Sequence, residues 1–143
     1  MKNNAAFLAQ YPSVCHFDDG TKPHFHFLIP INNDECLILP ITSQIQKRQE
    51  FTKKYGICTD LSIDNTIKGL EFLTKQSVLR CDKVQCLNID EIKQMSYFSV
   101  KSVDIDADFV KSVILSVYNS EHTPRKFKKA LRLRYKGYFD NLK

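Results

Sequence analysis

Two short segments of the chain place hydroxyl, guanidinium and carboxylate groups directly after apolar runs. The segment LILPITS ends in Thr42 and Ser43, and the segment SVLRCD carries Arg80 and Asp82 at its end. The end of a strand is a rigid platform, so side chains placed there can be held in register for binding or catalysis. Arg80 in particular suits bidentate binding of a phosphate group. These four residues form the first candidate site.

A purely structural interpretation of the same residues is also open. Thr42 and Ser43 would then cap a turn, and Arg80 and Asp82 would form an ordinary surface ion pair. Such pairs are common and individually weak. The residue types alone do not decide between the two interpretations, because both place the same polar groups at the ends of strands.

The length and composition of the chain predict one soluble domain. Its 143 residues suffice to bury a core, and the proportions of hydrophobic (43%) and charged (26%) residues are ordinary for a globular protein. No apolar run approaches the roughly 20 residues that a membrane-spanning helix needs. The first 13 residues contain one lysine and no sustained apolar segment, so they do not predict a signal peptide. We expect no association with a membrane.

The use of cysteine points to a reducing compartment. The chain contains five cysteines, an odd number, and four of them lie in or beside apolar, strand-like runs. Free, buried thiols of this kind are typical of a reducing environment. We therefore predict a cytoplasmic protein. The five residues are Cys15, Cys36, Cys58, Cys81 and Cys86.

The net charge of +5 is concentrated at one end of the chain. Residues 125–143 hold eight Lys or Arg against one acidic residue, so the other 124 residues carry a net charge of −2. A solvated basic helix is one explanation, and contact with nucleic acid or an acidic partner is another. On the second explanation, Arg132 and Arg134 are candidate substrate-binding residues.

Alternating and apolar runs predict short strands over the first two thirds of the chain. The charged stretch at residues 44–54 predicts a loop or a short helix. The strands are expected near residues 12–17, 23–31, 36–41, 57–61, 70–73 and 77–84.

The last third of the chain changes to a helical period. Asp104 or Asp106 can cap a helix with an apolar stripe, and Pro124 marks the start of a second, basic helix. Strands followed by helices predict a small, mostly antiparallel β barrel at about residues 12–100, with helices at about residues 104–143 packed on one side. The first helix is expected to pack through Phe109, Val113, Ile114 and Val117.

The order LILPITS, a polar insertion, SVLRCD and then NIDEI before a terminal helix resembles the PemK/MazF family of bacterial toxins. In that family a strand ending in P-x-T-S precedes a strand carrying R-x-D. The resemblance covers roughly residues 14–118, and its specific part is about fifteen residues long. It implies an SH3-like barrel, a homodimer and cleavage of single-stranded RNA without a metal or other cofactor. It also implies a small antitoxin protein whose extended segment occupies the RNA groove.

By position, the resemblance assigns Arg80 and Asp82 as catalytic acid and base and places Thr42 near the scissile phosphate. The loop that reads G-x-E-Q-x-G-x-R-P in the family is DDGTKPHFHF here, with Lys22 or His24 in place of the arginine. Metal-free RNA cleavage needs a base for the 2′-hydroxyl, an acid for the 5′-oxygen and a cation for the phosphorane. We therefore include His24 as a catalytic candidate and Lys22 as a substrate-binding one.

Ser43 and His26 complete the predicted substrate-binding set. His24 and His26 lie two residues apart, so their side chains share one face of a strand. One histidine of such a pair is more often a structural hydrogen-bonding group than a catalyst.

Three alternatives use the same residues. Cys15 and His16 with His24 and His26 resemble a scattered zinc set, although the spacing matches no compact ligand pattern. The string HFH is also the His-hydrophobic-His pair of single-strand DNA nucleases and transposases with a tyrosine nucleophile. Those proteins need a strand and a helix upstream of the pair, and the 23 residues that precede it here are too few for both. A non-catalytic SH3-like module that binds RNA or protein is the third alternative.

Overall fold

The strands of this protein form one antiparallel sheet. A computed structural model of the chain describes residues 4–20, 22–55 and 60–140. Seven strands lie within these ranges. They are β1 (Ser13–Asp18), β2 (Pro23–Pro30), β3 (Glu35–Thr42), β4 (Leu61–Ile63), β5 (Ser77–Leu79), β6 (Gln85–Asn88) and β7 (Ser99–Ser102). The path of paired strands is open and runs β4-β5-β3-β2-β1-β7, with β6 also paired to β3.

Helices flank this sheet, and the later ones follow it in the chain. They are α1 (Asn4–Gln10), α2 (Ile45–Tyr55), α3 (Ile89–Lys93), α4 (Ala107–Asn119), α5 (Arg125–Arg134) and α6 (Lys136–Phe139). None of the described helices is both long and apolar enough to cross a membrane. The predicted class, a mostly antiparallel β fold with C-terminal helices, is confirmed.

Strand β3 pairs with three other strands, and these pairings position the candidate site. One edge of β3 pairs with β2, and the other pairs with β6 along its first half and with β5 at its end. At that end Ile41 lies opposite Leu79, and Thr42 lies opposite Val78. The backbone N–H of Arg80 then donates to the carbonyl of Pro40 at 3.0 Å. The two segments singled out in the sequence are therefore hydrogen-bonded neighbours.

Both faces of the sheet are buried, which explains the nearly continuous apolar runs of β2 and β3. Along β2, Phe27 and Ile29 point into one cluster of buried residues and Leu28 into another. Helices α4 and α5 contribute to the first cluster, and α1 and α3 contribute Leu8 and Ile92 to the second. The alternation of side chains along a strand divides the core in this way.

Helix α4 agrees closely with its prediction. The carboxylate of Asp106 accepts from the backbone N–H of Phe109 at 2.9 Å and so caps the helix. Val113, Ile114 and Val117 are fully buried, while Phe109 is half-buried against the same cluster. The start of α5 after Pro124 is also confirmed.

One predicted strand is wrong and another is too long. Residues 70–73 form turns, in which the backbone N–H groups of Leu70 and Leu73 donate to carbonyls three residues earlier and both side chains are buried. The predicted strand at 77–84 is confirmed only for β5, because it ends at Leu79 before a turn in which Lys83 N–H donates to the carbonyl of Arg80, and β6 begins beyond the predicted range.

The predicted strand at 57–61 is tested only in part, since residues 57–59 lie outside the described residues. Strand β4 begins at Leu61 and continues through Ser62 and Ile63, two residues beyond the predicted end. The charged stretch after β3 is the helix α2. Its charged sequence is compatible with a helix that lies on the surface and buries few residues.

Candidate functional site

A groove of about 1050 Å³ opens beside the end of β3. The start of β2, helix α2 and the segments around β5 form its other walls. Six basic side chains and two acidic ones line it, and two further carboxylates, those of Asp60 and Asp82, pair with its arginines without lining it. Counting all four carboxylates leaves an excess of two positive charges, which favours an anionic ligand. The basic residues are Lys22, Lys47, Arg48, Lys75, Arg80 and Lys83, and the acidic ones are Asp19 and Glu50.

Thr42 and Arg80 lie on one wall of this groove. Thr42 is partly exposed, and its hydroxyl accepts from the backbone N–H of Gln44 at 3.1 Å. The side chain of Arg80 is 24% exposed, and its Nε lies 3.6 Å from a carboxylate oxygen of Asp82. That separation is an ion-pair contact, longer than a hydrogen bond. Arg80 is therefore oriented by Asp82 while part of its guanidinium group stays accessible from the groove.

Asp82 forms an ion pair with a buried arginine of helix α2. Arg48 is 7% exposed and binds Asp60 through Nε and Nη2 at 2.8 and 2.9 Å. The same Nη2 lies 3.2 Å from both carboxylate oxygens of Asp82. A guanidinium group that is removed from water needs such partners, because an uncompensated buried charge is strongly unfavourable. The result is a cluster of two arginines and two aspartates, of which only the arginines line the groove.

Sequence reasoning missed Arg48 and Asp60. Arg48 lies in a stretch that reads as a solvated helix, and its partners follow 12 and 34 residues later. No spacing rule within a single element connects residues so far apart. Only the pairing of β3 with β5 brings Asp82 close to the helix that follows β3.

The start of β2 carries two histidines that share one carboxylate. His24 Nε2 lies 3.8 Å and His26 Nε2 lies 3.4 Å from different oxygens of Asp19. His26 is 1% exposed, and its ring stacks on Phe17 with centroids 3.9 Å apart. Burial lowers the pKa of His26 below 6.5, and its hydrogen bond to Asp19 partly opposes this change.

Burial separates the two histidines. His26, which was expected to bind substrate, is almost fully buried, whereas His24, with 28% of its side chain exposed, is accessible to a ligand in the groove. Their common contact with Asp19 agrees with the expectation that they share one strand face. Asp19 was missed, although it belongs to the DDG turn that precedes β2.

Lys22 and Ser43 are exposed and also line the groove. Arg132 and Arg134 do not line it. Arg134 donates to the carbonyl of Ala9, and Tyr135 donates to the carbonyl of Pro30 at 2.6 Å. Pro30 ends β2 six residues beyond His24, about 20 Å along the strand. The end of α5 is therefore remote from the groove.

Two alternatives can be compared with this geometry. Within the described residues, no three His, Cys, Asp or Glu side chains come together in a way that could hold a metal ion. Helix α1 and strand β1 do precede the HFH string, so the argument that 23 residues leave little room for a helix and a strand was wrong. No described tyrosine lines the groove, however, and a nuclease with a tyrosine nucleophile needs one there.

Comparison of the chain with protein-family models and with curated proteins gave no match. The resemblance to the PemK/MazF family therefore depends on the motif residues alone.

Proposed function

We propose that this protein is a metal-independent endoribonuclease that cleaves single-stranded RNA, as a toxin of the PemK/MazF type. One observation carries the proposal: Thr42, Arg80 and His24 line a groove with an excess of positive charge, and Asp82, which does not itself line the groove, contacts Arg80. A basic groove attracts a polyanion, and Arg80, Asp82 and His24 can supply the cation, the base and the acid that in-line attack on a phosphodiester requires.

In the proposed reaction, Arg80 binds the scissile phosphate and stabilises the charge of the phosphorane. Asp82 takes the proton of the 2′-hydroxyl as its oxygen forms a bond to phosphorus. The bond from phosphorus to the 5′-oxygen breaks, and His24 donates a proton to that oxygen. The products are a 2′,3′-cyclic phosphate and a free 5′-hydroxyl. Asp19, which also lines the groove, lies 3.8 Å from His24 Nε2 and can orient its ring.

The finer structural parts of the proposal follow from the resemblance. Short antiparallel strands, with β3 shared between β2, β5 and β6, support an SH3-like barrel. The excess positive charge of the groove supports its occupation by an extended, acidic segment of an antitoxin protein. A homodimer is proposed on the resemblance alone. The free thiols of Cys15 and Cys36, both buried, support a cytoplasmic location.

A second candidate, a non-catalytic RNA-binding module, is favoured by the contacts of Asp82 itself. Both of its carboxylate oxygens lie within 3.2 Å of Arg48, and Arg80 is a further neighbour. A carboxylate engaged in this way can serve purely to hold two arginines in place for phosphate binding. The groove would then bind RNA without cleaving it.

The two candidates are separated by comparing Asp82→Asn with Asp60→Asn. Both substitutions remove a carboxylate that binds Arg48, but only Asp82 also contacts Arg80. With an end-labelled single-stranded RNA in the presence of EDTA, Asp82→Asn is expected to lower the cleavage rate by about 10²–10⁴-fold. Asp60→Asn is expected to retain most of the activity of the folded protein.

The result that overturns the ribonuclease proposal is binding of the RNA by the wild-type protein with no cleavage, which identifies the binding module instead. Equal losses of cleavage rate in the two variants would show that Asp82 acts only through Arg48. Thermal unfolding of both variants, measured alongside, shows how much of any loss comes from instability.

A further inference from the structure

A second, smaller cavity lies on the surface formed by the end of α4 and by α5. Its volume is about 450 Å³. Every residue that lines it carries a cationic or hydroxyl group. We refer to these residues as the α5 surface: Tyr118, Thr123, Arg125, Lys128, Lys129 and Arg132.

The four cations of the α5 surface form a row along one face of the helix. Their positions, 125, 128, 129 and 132, follow the i, i+3, i+4, i+7 spacing of a single helical face. The row is about 10 Å long, since each residue rises 1.5 Å. The ion pairs found within the described ranges all involve other residues. The positive charge of this row is therefore not neutralised by described carboxylates.

One of these cations is held in a fixed orientation. Arg132 Nη1 donates to the hydroxyl of Tyr118 at 3.2 Å, and the guanidinium lies 5.7 Å from the ring centroid of Phe139. The rings of Tyr118 and Phe139 pack edge to face at 4.8 Å. A cation that is already ordered loses less conformational entropy when it binds an anion.

Thr123 gives an independent indication that an anion belongs here. Thr123 is 5% exposed, and its hydroxyl has no hydrogen-bond partner in the described part of the chain. Leaving a buried donor unsatisfied is unfavourable, and buried hydroxyls are normally paired. Helix α5 begins two residues later and has no side-chain cap at Pro124. An uncapped helix N-terminus attracts negatively charged oxygens.

We propose that the α5 surface is a second phosphate-binding site, which holds the RNA backbone outside the groove. The choice of RNA as the ligand rests on the proposed function. Arginine guanidinium groups, hydroxyl groups and the N–H groups of a helix N-terminus can all donate hydrogen bonds to the oxygens of a phosphate group. A protein partner is less suited to this surface, since the core of a protein interface is enriched in aromatic and apolar contacts.

This site differs from the pair of arginines expected from the sequence. Arg132 belongs to it, but Arg134 is directed to the carbonyl of Ala9 and does not line the cavity. Arg125, Lys128 and Lys129 take its place.

The test compares two double substitutions that remove the same charge from the same tail. Lys128→Gln with Lys129→Gln changes the α5 surface, whereas Lys126→Gln with Lys136→Gln changes exposed residues that do not line the cavity. The probe is a 20-nucleotide single-stranded RNA that is 2′-O-methylated throughout and so cannot be cleaved. Its affinity for the full chain is measured by fluorescence anisotropy between 50 and 200 mM salt.

Loss of two phosphate contacts should reduce the slope of log K against log salt by about 1.4, and affinity should fall on the order of 10-fold. The control pair should change the slope far less. Equal changes in the two variants would overturn the proposal, because they would show a diffuse effect of charge. Polyglutamate that binds as tightly as the RNA, with the same dependence on Lys128 and Lys129, would overturn it in favour of an acidic protein partner.

The same assay keeps this proposal separate from the ribonuclease proposal. If the wild-type protein does not cleave RNA but the Lys128/Lys129 pair still controls the salt slope, the α5 site stands and the ribonuclease fails. If the wild type cleaves RNA and both pairs leave the slope unchanged, the ribonuclease stands and the α5 site fails.

Discussion

The cations of the groove and those of the α5 surface differ in how the protein holds them. In the groove, Arg48 is buried and bound to Asp60 and Asp82, which come from distant parts of the chain. On α5, four cations lie within eight consecutive residues and have no ion-pair partner in the described part of the chain. Charges that must keep a defined geometry need partners from elsewhere in the fold, whereas charges that only attract a polyanion can come from one helix.

The buried and the exposed cations should also contribute differently to the free energy of unfolding. Removing one member of a buried ion pair leaves an uncompensated charge, which destabilises a protein by about 3–5 kcal/mol. Removing an exposed cation changes stability by about 1 kcal/mol or less. The first set is therefore part of the folded core, and the second is available for binding.

The largest expected effect is that of Arg48→Ala on the free energy of unfolding. We expect a loss of about 3–5 kcal/mol, because Asp60 and Asp82 are only 15% and 12% exposed and would lose their common partner. Arg132→Ala, which removes only the contacts with Tyr118 and Phe139, is expected to destabilise by about 1 kcal/mol or less. Urea denaturation followed by circular dichroism measures both values.

Arg48→Lys sharpens this comparison. Lysine keeps the charge but lacks the planar fork that binds Asp60 through two nitrogens, so an intermediate loss of stability is expected. If Arg132→Ala were as destabilising as Arg48→Ala, the distinction between a structural and a binding set of cations would be wrong.

The next effect concerns catalysis. On the proposed function, Arg80→Ala is expected to lower kcat by about 10²–10³-fold, because it removes the group that stabilises the charge of the phosphorane. The Lys128→Gln/Lys129→Gln variant should leave kcat within about threefold and raise the RNA concentration needed for half-saturation. Steady-state cleavage of a fluorescent RNA measures both parameters. A fall in kcat of similar size in the two variants would contradict the separation of chemistry from general attraction.

The smallest expected effect is a pH dependence of stability that belongs to the groove alone. The pKa of His26 is lowered by burial in the folded protein, so the unfolded chain takes up the proton first as the pH falls through about 6.5. Stability should therefore decrease on acidification through this window and increase as the pH rises. No residue of the α5 surface is a histidine, so the contribution of this surface to stability should stay constant over the same pH range.

The measurement is the melting temperature between pH 7.5 and pH 5.5. His26→Phe keeps a ring that can stack on Phe17 but cannot take up a proton, so its melting temperature should depend less on pH than that of the wild type. His122→Gln, a substitution of an exposed histidine, is the control and should retain the wild-type dependence. An unaltered dependence in His26→Phe would show that the burial of His26 does not govern it.

The elements that were predicted well are those whose signals are local. Helix α4 was predicted from a capping aspartate and an apolar stripe, both contained within about fifteen residues. Strands β1, β2 and β3 were predicted to within one residue at each end. The segment 70–73 was mistaken for a strand because a short apolar run has no period to distinguish a ladder from a buried turn.

The candidate site was predictable to the extent that it lies at strand ends. Thr42, Ser43 and Arg80 were found from the polar residues that follow apolar runs, and the paired strands place all three at the groove. Arg48 and Asp19 were not found, because each acquires its importance from a partner on another element.

The sequence by itself determined strands β1 to β3, helices α4 and α5 and the concentration of positive charge in the last helices, since all of these depend on residues that are close in the chain. The tertiary structure alone decided which charges are buried and paired. Arg132 and Arg134 show this within one helix: Arg132 lies at the α5 cavity, whereas Arg134 binds the carbonyl of Ala9. Side chains that lie two residues apart on an α-helix point in nearly opposite directions, because each residue turns the helix by about 100°. What each side chain meets there depends on how the rest of the chain is packed.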